Sequence, residues 1–245
     1  MAVHDNPLML RQQSRRRKTV ALLGCAGAEM LFGMPRPQAQ AQPACIARPE
    51  QTEGPYFVDT KLNRSDIRTD TASGTISPGI PMVLTFIVSH MDGENCTALR
   101  NAHIEIWQCD AHGIYSGVRD PSFDTTGQDF LRGHQETDSS GIARFTTIYP
   151  GWYPGRAVHL HFMIRFSGER SRREEFASQL YFDDALSDRV FARPPYNERG
   201  ARSSRNSGDD IFRRGGSQLL LDVGARADGL AATFHIGLRA ATSAI

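Results

Sequence analysis

Short, mostly apolar runs alternate with turn signals along the chain. Residues 82–88 form one such run between Pro81 and the Asp92-Gly93 pair, which predicts a buried strand. Residues 102–108 alternate between apolar and polar or aromatic positions, and this period of two is typical of a strand. By the same criteria, further strands are predicted over 143–148, 158–166, 179–182 and 231–238.

The segments between these runs have the composition of turns and loops. Gly54-Pro55 predicts a sharp turn, residues 138–141 predict another, and the Arg-, Gly-, Ser- and Asn-rich segment 192–216 predicts a long surface loop. Because helical periodicity is scarce, we expect an all-β fold, a β-sandwich of short antiparallel strands with long loops. The length of 245 residues, with 40% hydrophobic and 22% charged residues, suits one sizeable soluble domain.

The first 41 residues differ from the rest in charge and pattern. A basic segment at 14–18, which contains an arginine pair, precedes a mostly apolar run over 20–33, and Ala39-Gln40-Ala41 is a small-x-small cleavage site. This arrangement is similar to a bacterial twin-arginine export signal. We therefore expect residues 1–41 to be a signal peptide, residues 42–245 to be a single catalytic domain, and the mature protein to be periplasmic or extracellular.

A lipoprotein signal is the alternative for this segment, because Leu22-Leu23-Gly24-Cys25 is similar to a lipobox. Only the short stretch Thr19–Leu23 lies between the basic segment and Gly24, which favours the twin-arginine interpretation.

Charge and cysteine content limit the partners and covalent links of the mature domain. The whole chain has a formal net charge of +1, and its first 41 residues hold six basic against two acidic side chains. The remainder therefore carries about −3, which argues against a nucleic-acid partner. Cys45, Cys96 and Cys109 remain after cleavage, so one disulfide and one spare thiol are expected in an oxidising compartment. A strand over 102–109 would hold Cys96 and Cys109 apart, so Cys45 is expected to pair with one of them.

His159 and His161 are separated by one residue inside the apolar run 158–166. On a strand the two imidazoles share one face while the apolar side chains occupy the other. Two imidazoles side by side on a strand make half of a transition-metal site. The alternative is a pair of surface histidines on a sheet edge.

Three further segments, taken together, carry a family resemblance. They are Trp107-Gln108-Cys109-Asp110-Ala111-His112-Gly113-Ile114-Tyr115, Thr137-Asp138-x-x-Gly141-x-x-Phe145-x-Thr147-Ile148-x-Pro150-x-x-Tyr153, and Arg156-x-x-His159-x-His161. In residue type, order and spacing they resemble the intradiol ring-cleaving catechol dioxygenases, which include the protocatechuate 3,4-dioxygenases and the catechol 1,2-dioxygenases. The resemblance runs from roughly Thr52 to Phe182.

The resemblance implies that one non-haem Fe(III) per chain is bound by Tyr115, Tyr153, His159 and His161. Two phenolates and a hydroxide balance the charge of ferric iron, and hard anionic oxygen donors favour Fe(III) over Fe(II). The implied partners are a catechol-type substrate and O₂, and a homo-oligomer is compatible with the family. The implied reaction inserts both atoms of O₂ and cleaves the ring between its two hydroxyl-bearing carbons, giving a cis,cis-muconate-type product. The ring substituents stay open.

The resemblance also assigns roles around the metal. Arg156 is expected to stabilise negative charge on the substrate ring, and Tyr153 to accept a catechol proton. The substrate pocket is expected to be lined by Gly54, Pro55, Tyr56 and Gln179. Trp107 and Asp110 are expected to be core or turn residues, and His103, His112 and His134 to be exposed.

Two other classes of protein were weighed against this interpretation. A cupin also begins its metal site with H-x-H, but it requires a glutamate three or four residues later, where this chain has Ile164 and Arg165. A non-enzymatic, secreted β-sandwich binding module is the second alternative. It leaves the two tyrosines and two histidines without a role.

The export route can be tested by changing Arg15, Arg16 and Arg17 together to Lys. This substitution keeps the charge but removes the arginine pair, so the twin-arginine interpretation predicts that the protein stays in the cytoplasm. Fractionation followed by immunoblotting measures its location. Normal export of the variant would instead indicate the general secretory route or a lipoprotein anchor.

Overall fold

The computed structural model describes residues 46–93, 95–168 and 173–239. Within them the chain forms eleven strands and one α-helix. The elements are, in chain order, β1 (Pro81–Asp92), β2 (Asn95–Ala98), β3 (His103–Trp107), β4 (Arg119–Asp120), β5 (Phe123–Asp124), β6 (Arg132–Glu136), β7 (Ile142–Ile148), β8 (His159–Ser167), β9 (Arg173–Tyr181), α1 (Asp184–Phe191), β10 (Val223–Arg226) and β11 (Gly229–Leu238).

Two sheets make up the framework. In the first, the strand order is β10-β11-β1-β2, and β7 also pairs with β1. Its central strand β1 is parallel to β11 and antiparallel to β2 and β7. The second sheet is antiparallel and has the order β6-β3-β8-β9. Strands β4 and β5 form a separate small hairpin. The all-β prediction is therefore confirmed.

Aromatic side chains join the two sheets face to face. Phe162 on β8 lies 5.4 Å from Phe86 on β1 and 5.5 Å from Phe234 on β11, measured between ring centroids. Leu160 and Ile164 on β8 belong to the same buried core. Because side chains alternate along a strand, the positions between them point away from this core. The sandwich thus holds β8 by one face and leaves its other face for the histidines.

The predicted strands are present, but shorter and more polar ones escaped the sequence pattern. These are β2, β4, β5, β6 and β10, which are two to five residues long, too short to show a hydrophobic period. Helix α1 was missed as well. Its start is marked by Asp183, whose side chain accepts a hydrogen bond from the N–H of Leu186 (2.9 Å).

The segment 192–216 is only partly the surface loop that was predicted. Tyr196 and Asp209 are fully buried. The hydroxyl of Tyr196 donates to the carbonyl of Tyr149 (2.8 Å), and short 3₁₀ turns begin at Tyr196, Asn206 and Gly216. The error arose because polar composition was equated with exposure, although buried polar side chains are common where they are hydrogen-bonded.

The state of the cysteines excludes one of the two disulfide pairings that the sequence left open, Cys45 with Cys96 or with Cys109. Cys96 is disulfide-bonded, whereas Cys109 is a free, buried thiol. A bridge between Cys45 and Cys109 is therefore wrong. Cys45 itself and the predicted signal peptide, residues 1–41, lie outside the described residues. Among the described residues, none of the helices has the length and apolar character needed to cross a membrane.

The contact between the sheets can be tested at Phe86, which is fully buried and packs against three other phenylalanines. We expect Phe86→Ala to lower the free energy of unfolding by about 3–5 kcal/mol, because it removes apolar contacts and leaves a cavity. Denaturant titration followed by fluorescence measures this loss. The control is Ile76→Ala, at a side chain that is 58% exposed, which should stay within about 0.5 kcal/mol of the parent. Equal effects of the two substitutions would contradict the assignment of Phe86 to the core.

Candidate metal centre

Strand β8 presents His159 and His161 on the face that points away from the sandwich core. The register places His161 between Trp107 on β3 and Gln179 on β9, and His159 beside Tyr181. Both imidazoles are buried, at 2% and 1% exposure, so the alternative of surface histidines on a sheet edge is wrong. The ring of His161 stacks on Trp107 at 5.2 Å with an interplanar angle of 7°. The histidines therefore have fixed orientations.

Tyr115 reaches the same face from the loop that follows β3. This loop is shaped by Asp110, whose carboxylate accepts hydrogen bonds from the N–H groups of His112 and Ile114 (2.9 Å each). The Asp110 carbonyl accepts from the N–H of Gly151 (3.1 Å), which ties the loop to the segment that carries Tyr153. Tyr115 is fully buried, and its ring centroid lies 5.8 Å from that of Tyr153 and 6.2 Å from that of His161.

The structure brings the four predicted ligands together. The Nε2 atoms of His159 and His161 are 3.0 Å apart, and the hydroxyl of Tyr153 lies 3.1 Å from Nε2 of His159. Nδ1–H of His159 donates to the carbonyl of Ala157 (2.7 Å), which leaves the lone pair of Nε2 facing the cluster. The hydroxyl of Tyr115 and Nδ1 of His161 are buried without a hydrogen-bond partner among the described residues.

Burial controls the charge of all four groups. It lowers the pKa of His159 to about 3 and that of His161 well below its ordinary value. It also raises the pKa of both phenols, an effect that the Arg156 guanidinium opposes at Tyr153 and Tyr115. The residues alone therefore hold two neutral imidazoles, whose Nε2 atoms face each other, beside two protonated phenols.

This donor set fits ferric iron. An unpartnered buried hydroxyl is costly by itself, and a cation among these groups would bind the Nε2 atoms and ionise the phenols. No group of three His, Cys, Asp or Glu side chains within the described ranges is arranged to hold a metal ion. The two tyrosines of the cluster would supply hard oxygen donors, which suit Fe(III).

Arg156 lies directly against this cluster. Its Nη1 is 3.4 Å from the hydroxyl of Tyr153 and 3.3 Å from Nε2 of His159. Nη2 donates to the side-chain oxygen of Gln179 (2.5 Å), and Gln179 in turn donates to the carbonyl of Thr52 (2.9 Å). Gln179, which was expected to line the substrate pocket, is fully buried and supports the guanidinium of Arg156.

Sequence reasoning missed two side chains at this site. Trp107 was expected to be a core or turn residue and is a buried core residue, but its stacking against His161 was not predicted. Asp209 belongs to the predicted surface loop, yet its carboxylate accepts from Nε of Arg156 at 2.9 Å. Burial raises the pKa of Asp209, but the N–H of Ala157 and the charge of Arg156 outweigh this and lower it overall. The alternation of apolar and polar or aromatic positions along β3 could have placed Trp107 at the site. No pattern in the sequence points to Asp209.

Two of the three residues predicted to line the substrate pocket in segment 54–56, Gly54 and Tyr56, lie beside the cluster. Gly54 has φ +72°, and a Cβ there would lie 3.1 Å from the ring of His161, so a larger residue would crowd the imidazole. Tyr56 stacks on Tyr115 at 4.5 Å and donates to the carboxylate of Asp120 (2.8 Å). Pro55 is exposed in the turn between them.

The three histidines that were expected to be exposed, His103, His112 and His134, are half-buried. The rings of His103 and His134 stack on each other at 4.1 Å, and His112 lies 3.2 Å from the carboxylate of Glu198. None of these contacts involves the four predicted ligands.

Comparisons with known proteins place this arrangement in a family. A family model described as Dioxygenase matches residues 52–196. The chain is 31% identical over 152 residues to the protocatechuate 3,4-dioxygenase beta chain of Burkholderia cepacia, covering 57% of this chain and 63% of that protein. It is 27% identical over 151 residues to the chlorocatechol 1,2-dioxygenase of Pseudomonas putida, and this match covers 54% of this chain and 52% of that protein. The aligned chain thus spans less than two thirds of the length of either relative.

A solved structure extends the likeness over more of the fold. The intradiol ring-cleavage dioxygenase from Tetranychus urticae superposes with a TM-score of 0.65 at 29% sequence identity, and the match covers 80% of this chain and 94% of that one. The family model alone matches more than half of the chain, and its range contains every residue predicted for the site, from Gly54 to Gln179. The chain belongs to the intradiol ring-cleavage dioxygenase family.

Proposed function

We propose that this protein is an Fe(III)-dependent intradiol dioxygenase that cleaves a catechol-type ring between its two hydroxyl-bearing carbons. The observation that carries the proposal is the convergence of Tyr115, Tyr153, His159 and His161 on one buried point, with a guanidinium beside it. The printed names of both relatives, a protocatechuate and a chlorocatechol dioxygenase, support a catechol as the substrate class. Because both atoms of O₂ enter the product, the ring supplies the electrons and no separate reductant is needed.

The two imidazoles and two phenols would hold one non-haem Fe(III) per chain. When bound, the metal would supply Lewis acidity toward a catechol-type substrate. His159 is prepared for this role, because its Nδ1–H is fixed on the Ala157 carbonyl and only the Nε2 lone pair remains available. Gly54 lets the backbone approach the ring of His161 closely, and Trp107 sets the plane of that ring.

Tyr153 is the group best placed to accept a substrate proton. Its side chain is only partly buried, whereas Tyr115 is fully enclosed. A catechol that enters from solvent would therefore meet the Tyr153 hydroxyl first. When ionised, that oxygen can take the proton of a catechol hydroxyl, and the nearby cation of Arg156 favours the ionised form.

Arg156 would stabilise the negative charge that develops on the substrate ring. Its Nη1 is the nitrogen that faces the cluster, while its other nitrogens are held by Gln179 and Asp209. A charge that is already oriented costs no reorganisation when the reaction begins. The aromatic surfaces of Tyr56 and Trp107 cover the neighbouring donors and restrict access of water to them.

The metal assignment is tested by Tyr115→Phe. We expect the parent to carry about one iron per chain with a visible tyrosinate-to-Fe(III) absorption band, and the variant to lose much of the iron, colour and activity, because one anionic ligand is gone. Metal analysis and absorption spectroscopy measure both quantities.

A suitable control is Tyr149→Phe. It removes another buried hydroxyl, which contacts Ser187 (2.8 Å) in the sandwich core, and should leave iron and colour unchanged. Full iron, colour and turnover in Tyr115→Phe would disprove the ligand assignment.

The role of Arg156 is tested by Arg156→Lys, which keeps the charge but loses the planar donor fork. Removing one preorganised electrostatic contact of this kind costs on the order of 10²–10³ in rate, so we expect turnover of catechol to fall at least about tenfold. Iron content and the spectral shift on anaerobic addition of catechol should persist, since Arg156 is not a ligand. Oxygen uptake measures turnover.

The matched control is Arg165→Lys on β8, because the side chain of Arg165 pairs with Glu105 and Glu175 instead of the site. Parental turnover in both Arg156→Lys and Arg156→Ala would show that the guanidinium takes no part in the reaction.

A further inference from the structure

Asp209 is a buried carboxylate at the edge of the metal centre. It lies between α1 and β10, 53 residues from Arg156 in sequence, and it is fully buried. Its Oδ2 accepts from Nε of Arg156 (2.9 Å) and from the N–H of Ala157 (2.8 Å). Its Oδ1 accepts from the N–H groups of Ile211 (2.7 Å) and Phe212 (3.2 Å). Four donors therefore hold this one side chain.

The contacts of Arg156 divide its guanidinium into a supported part and a free part. Nε is held by Asp209, and Nη2 is held by Gln179. The nitrogen that remains, Nη1, points to the Tyr153 hydroxyl and to Nε2 of His159. Because a guanidinium is planar, two supports on separate nitrogens fix the direction of the third. Asp209 supplies one of these two supports.

The same carboxylate also constrains the backbone that orients His159. Its Oδ2 holds the N–H of Ala157, and the carbonyl of Ala157 accepts from Nδ1–H of His159. Ala157 is thus held by a hydrogen bond to Asp209 on one side and by a hydrogen bond from the His159 imidazole on the other. The hydrogen bonds of Asp209 to the site go to Arg156 and Ala157 and to none of the four predicted ligands.

We infer that Asp209 is a positioning residue for ring cleavage, which holds the guanidinium of Arg156 in the orientation that stabilises charge on the substrate. The inference rests on the proposed function and deepens it, because it extends the site to a loop outside the sheets. The ionised carboxylate is required, since a neutral amide would accept more weakly from Nε and leave the buried cation of Arg156 uncompensated.

The test compares Asp209→Asn in the parental chain and in an Arg156→Ala background, with the full iron-loaded protein. In the parental background we expect kcat for catechol to fall at least about tenfold with little change in KM, because the lost interaction acts on charge that develops in the transition state. In the Arg156→Ala background the same substitution should change kcat by less than about threefold, because the group it acts through is gone. Iron content, the visible band and its shift on anaerobic catechol binding should match the parent.

The matched control is Asp70→Asn. Asp70 is also a buried carboxylate that accepts backbone hydrogen bonds, from Ser73 and Asp129, but neither partner belongs to the site. It should leave kcat within about twofold of the parent, in line with additivity of distant sites. If Asp209→Asn does not fold, Asp209→Glu serves in its place, since it keeps the charge while displacing the carboxylate by one methylene. The same tenfold loss and the same dependence on Arg156 are expected.

Failure of the inference and failure of the proposed function give different results in these measurements. Parental turnover in the Asp209 variant, while Arg156→Ala is slow, overturns the inference and leaves the proposed function intact. An equal loss of kcat in both backgrounds also overturns it, because the effect would then reach the site through Ala157 or the loop and not through Arg156. A parent chain that binds iron but cleaves no catechol overturns the proposed function and the inference with it.

Discussion

The structure depends on the convergence of two neutral imidazoles and two phenols at one buried site. An unsatisfied buried polar group costs about 1–3 kcal/mol, and the Tyr115 hydroxyl and His161 Nδ1 are both in this position among the described residues. Stacking on Trp107 and contact with Gly54 prevent the His161 ring from turning away from the other donors. The fold thus bears a local cost in free energy to keep the donors together, and a bound cation would offset the part that comes from the Tyr115 hydroxyl.

The two ligand types are held in different ways. The histidines belong to β8, which pairs with a strand on each side, so the sheet register sets their spacing and direction. The tyrosines come from loops, and hydrogen bonds within those loops fix them, including the bonds that Asp110 makes to its own loop and to Gly151. The sheet thus holds the two histidines rigidly, and hydrogen bonds within the loops hold the two tyrosines. Together they bring four side chains from separate parts of the sequence to one site.

This division explains which parts of the structure were predictable. The period of two along 158–166 was enough to place both histidines on one strand face, and the sandwich followed from similar runs. The tyrosines have no periodic signal, and only the family motifs pointed to them. Asp209 could not be distinguished from its neighbour Asp210 by any local pattern, yet Asp209 is fully buried and the side chain of Asp210 is 74% exposed. The difference arises from packing against Arg156 and Ala157, which are remote in sequence.

The guanidinium of Arg156 shows how the sheet and the loop act on one group. Gln179 approaches it from β9, where the strand register with His161 determines its position. Asp209 approaches it from the loop after α1, where its second oxygen is held by the backbone of Ile211 and Phe212. Neither support alone defines the plane of the guanidinium, because one contact leaves rotation about its axis free. The direction of the positive charge at the metal centre is therefore determined by two elements together, and the loop is part of the site as much as the strand is.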